Sequence, residues 1–167
     1  MKHIRNILIT ISIFISSQTF GCDCKNLGPL DSLRQISYNE SDFVFLGELI
    51  EVDTIYFTFT FRIIEKFKGE VRNSIIKGKC FDSCSIFPRD KCLWIIYADT
   101  KEGLIDINQC LASRSEMNPI CINCYDIPDP YSNEKEKKEY EKEIELLKRK
   151  AIYDWKNEIE ILRQRKK

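Results

Sequence analysis

All eight cysteines of the 167-residue chain fall between Cys22 and Cys124, and that placement constrains the fold more than any other feature. A small domain this rich in cysteine is cross-linked if it matures in an oxidising compartment. In a reducing one, the same residues point to metal binding or catalysis. The N-terminus decides between these. Lys2, His3 and Arg5 make a short basic start, and Ile7 to Ile15 are mostly apolar. Ser16 to Gly21 form a more polar exit, with Thr19 and Gly21 at the −3 and −1 positions of a cut before Cys22. The apolar stretch is far short of the ~20 residues a spanning helix needs. Residues 1–21 are therefore expected to be a signal peptide cleaved between Gly21 and Cys22, and the chain to be secreted, extracellular or periplasmic. All eight cysteines survive that cut and are expected to form disulfides. Spacing alone does not fix their pairing.

The composition changes after Pro130, which divides the chain into a cysteine-bearing part over 22–127 and a charged segment over 131–167. In the first part, Leu30 to Tyr38 has the spacing of a short helix. Phe43 to Val52 reads as a strand with Gly47 as a bulge. The clearest period follows, with Ile55, Phe57, Phe59, Phe61 and Ile63 on one face and Tyr56, Thr58, Thr60 and Arg62 on the other. A period of two with β-branched and aromatic residues predicts a half-buried strand. Lys68-Gly69-Glu70 supplies a turn. Ser74 to Lys79, Leu93 to Ala98 and Leu104 to Gln109 complete a set of five strands, with Lys101-Glu102-Gly103 closing the last hairpin. The set is mainly β and suits a small closed barrel.

The segment after Pro130 predicts a helix capped at Ser132. Tyr140, Ile144, Leu147, Ala151, Trp155, Ile159 and Leu162 recur at steps of three or four and form one apolar stripe. That stripe is expected to pack on the barrel or on a second copy of the chain. A partner or a membrane surface is the sharper alternative.

Charge and composition exclude several functions. Basic and acidic residues number 26 each, so nothing favours nucleic acid as a partner, even with Arg62, Lys66 and Lys68 near Tyr56. His3, the only histidine, leaves with the signal peptide, which removes Cys-His and Ser-His-Asp mechanisms. Cys121-x-x-Cys124 has redox-motif spacing but lacks the βαβ setting that would depress a thiol pKa. Cys80-x3-Cys84 with Cys121-x2-Cys124 has four-cysteine zinc spacing, but export favours bridges. The chain is expected not to be an enzyme and to hold no cofactor of its own.

Several of these segments together point to a family. Cys22-Asp23-Cys24 opens the mature chain, and a short helix leads into Ser41-Asp42-Phe43-Val44-Phe45-Leu46-Gly47-Glu48-Leu49. Ile64-Glu65-Lys66-Phe67-Lys68-Gly69-Glu70, the loop Asp82-Ser83-Cys84, the strand Leu93-Trp94-Ile95-Ile96-Tyr97 and the ending Ile107-Asn108-Gln109-Cys110 follow. In that order the chain resembles the netrin-like domain of the tissue inhibitors of metalloproteinases, from about Cys22 to Ser115. The resemblance implies a five-stranded OB-type barrel with a short N-terminal helix, to which the C-terminal helix is an addition. It also implies bridges Cys22–Cys84 and Cys24–Cys110. It assigns no partners to Cys80, Cys92, Cys121 and Cys124, for which Cys80–Cys92 and Cys121–Cys124 is one arrangement.

In that family the free α-amine and carbonyl oxygen of the first residue chelate the catalytic zinc of a protease and displace its activated water. The resemblance therefore implies that Cys22 supplies both donors and that the only zinc involved belongs to a partner metalloprotease. Asp23 would face the specificity pocket, and Cys24 with Asp82, Ser83, Cys84 and Ser85 would complete the protease-binding ridge. An α-amine with a pKa of ~7.7–8.0 is partly neutral near pH 7, as coordination requires. The chain departs from the family at Asp23, where inhibitors of matrix proteases carry a small hydroxyl residue. A carboxylate there meets an apolar pocket at a cost. The family's C-terminal cysteine subdomain is also absent.

Thr19-Phe20-Gly21-Cys22 is in addition an imperfect lipobox. Acylation of the amine and a thioether at Cys22 would give a lipid-anchored module of the cell envelope with the same fold and no inhibitory activity. Membrane attachment would follow only from that modification.

Overall fold

The computed structural model describes residues 22, 24, 28–70, 73–120, 125, 127–128, 130–131 and 133–166. The expected signal peptide, Asp23 and the pair Cys121 and Cys124 lie outside these. Helix α1 (Leu30–Glu40) precedes strands β1 (Phe43–Asp53), β2 (Thr58–Lys68), β3 (Ile75–Lys79), β4 (Leu93–Lys101), β5 (Leu104–Asp106) and the short β6 (Arg114–Ser115), and helix α2 (Glu134–Arg165) ends the chain. Sheet order is β1-β2-β3-β5-β4-β6, with β1 also paired to β4. The β1–β4 pairing closes β1 to β5 into a five-stranded barrel, antiparallel except where Gly78 of β3 meets Ile105 of β5 in parallel. The closed five-stranded mixed barrel, the short helix and the C-terminal helix are those anticipated from the sequence. β6 was not anticipated, being too short to show a period.

Alternation along the strands sorts their side chains into two cores. Phe45, Leu49, Phe59, Phe61, Trp94, Ile96, Ala98, Ile105 and Ile107 fill the barrel. Phe61 meets Phe45, Phe59 and Trp94 edge-on, at centroid separations of 6.0, 5.8 and 6.3 Å, the arrangement that aromatic quadrupoles favour. Gly78 permits this packing. A Cβ there would sit 2.1 Å from Cε2 of Phe59 and 2.7 Å from the carbonyl oxygen of Ile105. Val44, Leu46, Phe67, Ile95 and Tyr97 face the other way, against Leu33 of α1 and Trp155, Ile159 and Leu162 of α2. The two helices thus form an outer layer on one side of the barrel.

The long alternating run is shorter than expected. Residues 54–57 form the turn between β1 and β2, so Ile55 is 79% and Phe57 53% exposed and neither joins the inner face. The alternation runs through a turn that Asp53 fixes. Its Oδ1 accepts from the backbone nitrogens of Ile55 and Tyr56 at 2.8 and 3.0 Å, an Asx turn that overrides the period. β1 carries its expected irregularity at Leu46/Gly47, with further register shifts at Val44/Phe45 and Leu49/Glu51.

Helix α2 is capped by Asn133, whose side chain accepts from the nitrogens of Lys135 and Glu136, one residue after the anticipated Ser132, which lies outside the described residues. Only its C-terminal half is anchored. Ala151, Trp155, Glu158, Ile159 and Leu162 are buried, and nothing between Glu134 and Lys150 is. Tyr140, Ile144 and Leu147 are half-buried, with the Tyr140 ring 5.5 Å from that of Tyr131. The stripe therefore packs on the barrel at its C-terminal end, while Tyr140 meets Tyr131 near the other. No helix among the described residues is long and apolar enough to cross a membrane.

Candidate functional site: the doubly bridged N-terminal edge

The loop after β3 is built to hold Cys84 in place. The Ser85 hydroxyl accepts from the nitrogens of Phe81 and Asp82, at 3.0 and 3.3 Å. The Asp82 carboxylate accepts from the Cys84 nitrogen at 2.9 Å. These reciprocal bonds close a tight turn, and the chain leaving it pairs with the stretch after β5. Ile86 donates to the Ile107 carbonyl at 2.6 Å, and Gln109 donates to the Cys84 carbonyl at 2.8 Å. Cys84 and Cys110 consequently lie side by side at one end of the barrel.

The N-terminal segment is bonded to both. Cys22 pairs with Cys84 and Cys24 with Cys110, at Cα separations of 5.0 and 5.2 Å, the pairs implied by the family resemblance. The two bridges touch, with the Cys22 and Cys110 sulfurs 3.7 Å apart. The Cys22, Cys24 and Cys110 sulfurs lie within 4.8 Å of one another. A zinc site needs thiolates, and these sulfurs are consumed in bridges. Asp82 and Ser83 are exposed beside them, and Ser85 is half-buried. Lys101 reaches the Asp82 carboxylate at 3.5 Å. The structure thus brings Cys22, Cys24, Asp82, Ser83, Cys84 and Ser85 to one edge.

The suggested Cys80–Cys92 bridge is not formed. Both residues are free, half-buried thiols. Each is engaged locally, Cys80 with the Ile86 carbonyl and Cys92 with that of Leu93, and each packs against the barrel core. Burial pushes the Cys80 thiol up to about 11, aided by Asp106 and Asp82, so it is a poor nucleophile at neutral pH. Two of the basic residues near Tyr56 are engaged within the chain. Lys68 donates to the Tyr38 and Asn39 carbonyls at the C-terminal end of α1, where a cation complements the helix dipole. Arg62 pairs with Glu48 at 3.6 Å.

A second polar constellation escaped the sequence reading. Glu158, 1% exposed, points from α2 into the helix–barrel interface. Its carboxylate accepts from Arg34 of α1, from both terminal nitrogens of Arg114 of β6 at 3.3 and 2.5 Å, and from the Tyr97 hydroxyl at 2.7 Å. Arg34 also donates to the Asp154 carbonyl and to Asp31. A cavity of about 230 Å³ opens beside Arg34, Tyr97 and Glu158. The carboxylate already accepts four hydrogen bonds, so the cluster reads as a staple between α1, β6 and α2. One signal in the sequence could have revealed it: Glu158 stands three residues after Trp155 and four before Leu162, inside the apolar stripe.

Burial, reinforced by the Glu158 carboxylate, holds the Tyr97 hydroxyl well above the ordinary tyrosine range. Burial and a hydrogen bond to Asp154 raise Tyr125. In alkali the unfolded chain therefore releases these protons first, and native stability falls as pH rises beyond ~10. At pH 11 the 295 nm absorbance of the folded protein is expected to fall short of seven tyrosinates, with the deficit recovered on unfolding. Full ionisation of the folded protein at pH 11 would contradict the burial of both hydroxyls.

No family model matches the chain, and no curated protein matches it.

Proposed function

We propose that the chain, once cleaved after Gly21, is a secreted, netrin-like binder and inhibitor of a zinc metalloprotease that acts through its N-terminal edge. The observation that supports this reading most is the double bridge. Cys22 and Cys24 are each bonded into the barrel, beside the exposed residues Asp82 and Ser83. In the full chain the Cys22 nitrogen is an amide, and cleavage turns it into an α-amine next to its own carbonyl. Two donor atoms on a tethered backbone lose little freedom on coordinating a metal. They would occupy the position of the water that a catalytic zinc activates. Asp23 would then select against proteases with a purely apolar pocket and in favour of one that offers a donor or a cation.

The mature protein, beginning at Cys22, should be assayed against a panel of zinc metalloproteases before and after acetylation of its α-amine. Acetylation is expected to weaken inhibition at least about 100-fold, because an amide nitrogen is no longer a ligand. Equal inhibition by both forms would place the contact elsewhere, and no inhibition by either would remove the proposal. The lipid-anchored reading requires a thioether at Cys22, which excludes the Cys22–Cys84 bridge. An intact mass carrying acyl chains would decide in its favour.

A further inference from the structure

We infer that the two bridges of the N-terminal edge act as one exchange unit, in which loss of either bridge converts the other into Cys22–Cys110. The observation is the 3.7 Å contact between the Cys22 and Cys110 sulfurs, which belong to different disulfides and so carry no hydrogen. A dithiol reductant attacking Cys24 forms a mixed disulfide there and releases Cys110 as a thiolate. That thiolate lies against the Cys22 sulfur. Its attack forms Cys22–Cys110 and expels Cys84 as a thiolate, the ordinary course of thiol–disulfide exchange. The reductant's second thiol then closes on its first sulfur, freeing Cys24 and completing a two-electron reduction. Attack at Cys84 releases the Cys22 thiolate instead, which attacks Cys110 and expels Cys24. Both routes end with Cys22–Cys110 bonded and Cys24 and Cys84 as thiols.

The consequence is asymmetric. Cys22 remains covalently tied to the barrel after the first reduction, whichever bridge is attacked. The loop around Cys84 loses its cross-link and keeps its backbone bonds to Ile107 and Gln109. The edge thus protects the position of its first residue against partial reduction. This inference stands whether or not that residue binds zinc.

The test treats the folded protein with substoichiometric dithiothreitol, quenches with N-ethylmaleimide and maps the bridges by mass spectrometry. A Cys22–Cys110 species with alkylated Cys24 and Cys84 is expected at about a tenth or more of the singly bridged protein. In Cys110→Ser the relay cannot run, and Cys22–Cys84 should be the bridge that Cys22 retains. If singly bridged protein keeps only Cys22–Cys84 or Cys24–Cys110, the inference is overturned. Direct passage to the fully reduced edge, with no singly bridged form, would overturn it equally.

Discussion

Removing α2 by ending the chain at Pro130 is expected to abolish cooperative folding of the barrel. The deletion takes Trp155, Ile159 and Leu162 away from a core that also contains Val44, Leu46, Ile95 and Tyr97. Losing one large buried side chain costs roughly 2–5 kcal/mol, and a domain has only about 5–15 kcal/mol in total. The deletion also strips Arg114 of its buried carboxylate partner and leaves Arg34 with only the exposed Asp31. Near-ultraviolet circular dichroism and thermal melting should show loss of fixed tertiary structure. A truncated chain melting at the parent temperature would mean that the helix is an appendage. The control is Leu146→Glu, on the exposed part of the helix, which should alter stability by less than about 0.5 kcal/mol.

Within α2, the largest single-residue effect is expected at Glu158. Replacing it with alanine leaves Arg114 buried without a counter-charge and Arg34 with only the exposed Asp31, in a site where Arg34 and Arg114 are 7% and 3% exposed. Breaking a buried ion pair from one side costs about 3–5 kcal/mol, because the remaining charge stays desolvated. The melting temperature should fall by roughly 10–20 °C. Replacing all three charges together with apolar residues of similar volume should recover much of that loss, since the desolvation penalty disappears with the charges. A loss below about 1 kcal/mol for Glu158→Ala would show that water reaches the cluster.

The reading from sequence was good where one physical rule dominated. Phe59 and Phe61 face inward because a strand turns its side chains through two faces, and the Gly47 irregularity followed from a residue without a side chain in a strand. It failed where two rules competed. The alternation through Ile55 and Phe57 looked like strand, but the Asp53 side chain captures the next backbone nitrogens and turns the chain. Glu158 sits inside the apolar stripe of a charged helix, yet it satisfies arginines that are distant in sequence. Nothing local to α2 announces Arg34 or Arg114. The Cys22 and Cys24 pairings were implied by the family resemblance, whereas Cys80 and Cys92 had only their number to suggest a bridge. Their local surroundings, each thiol turned to a nearby carbonyl, lie below what spacing can express.

The span of the two bridges sets the order in which the molecule can be made. They join residues 62 and 86 positions apart, and β1 must find β4 across the whole of β2 and β3. Contacts this distant in sequence cost loop-closure entropy before they return any stabilisation, so folding is slow relative to a helical domain of equal size. Cys22 and Cys24 are synthesised first but finished last, waiting for Cys84 and then for Cys110. Until Cys84 emerges neither thiol has its native partner, and until Cys110 follows β5, Cys24 still has none. Oxidative refolding from the reduced state should therefore be limited by barrel closure, and an isomerase should speed it more than a stronger oxidant would.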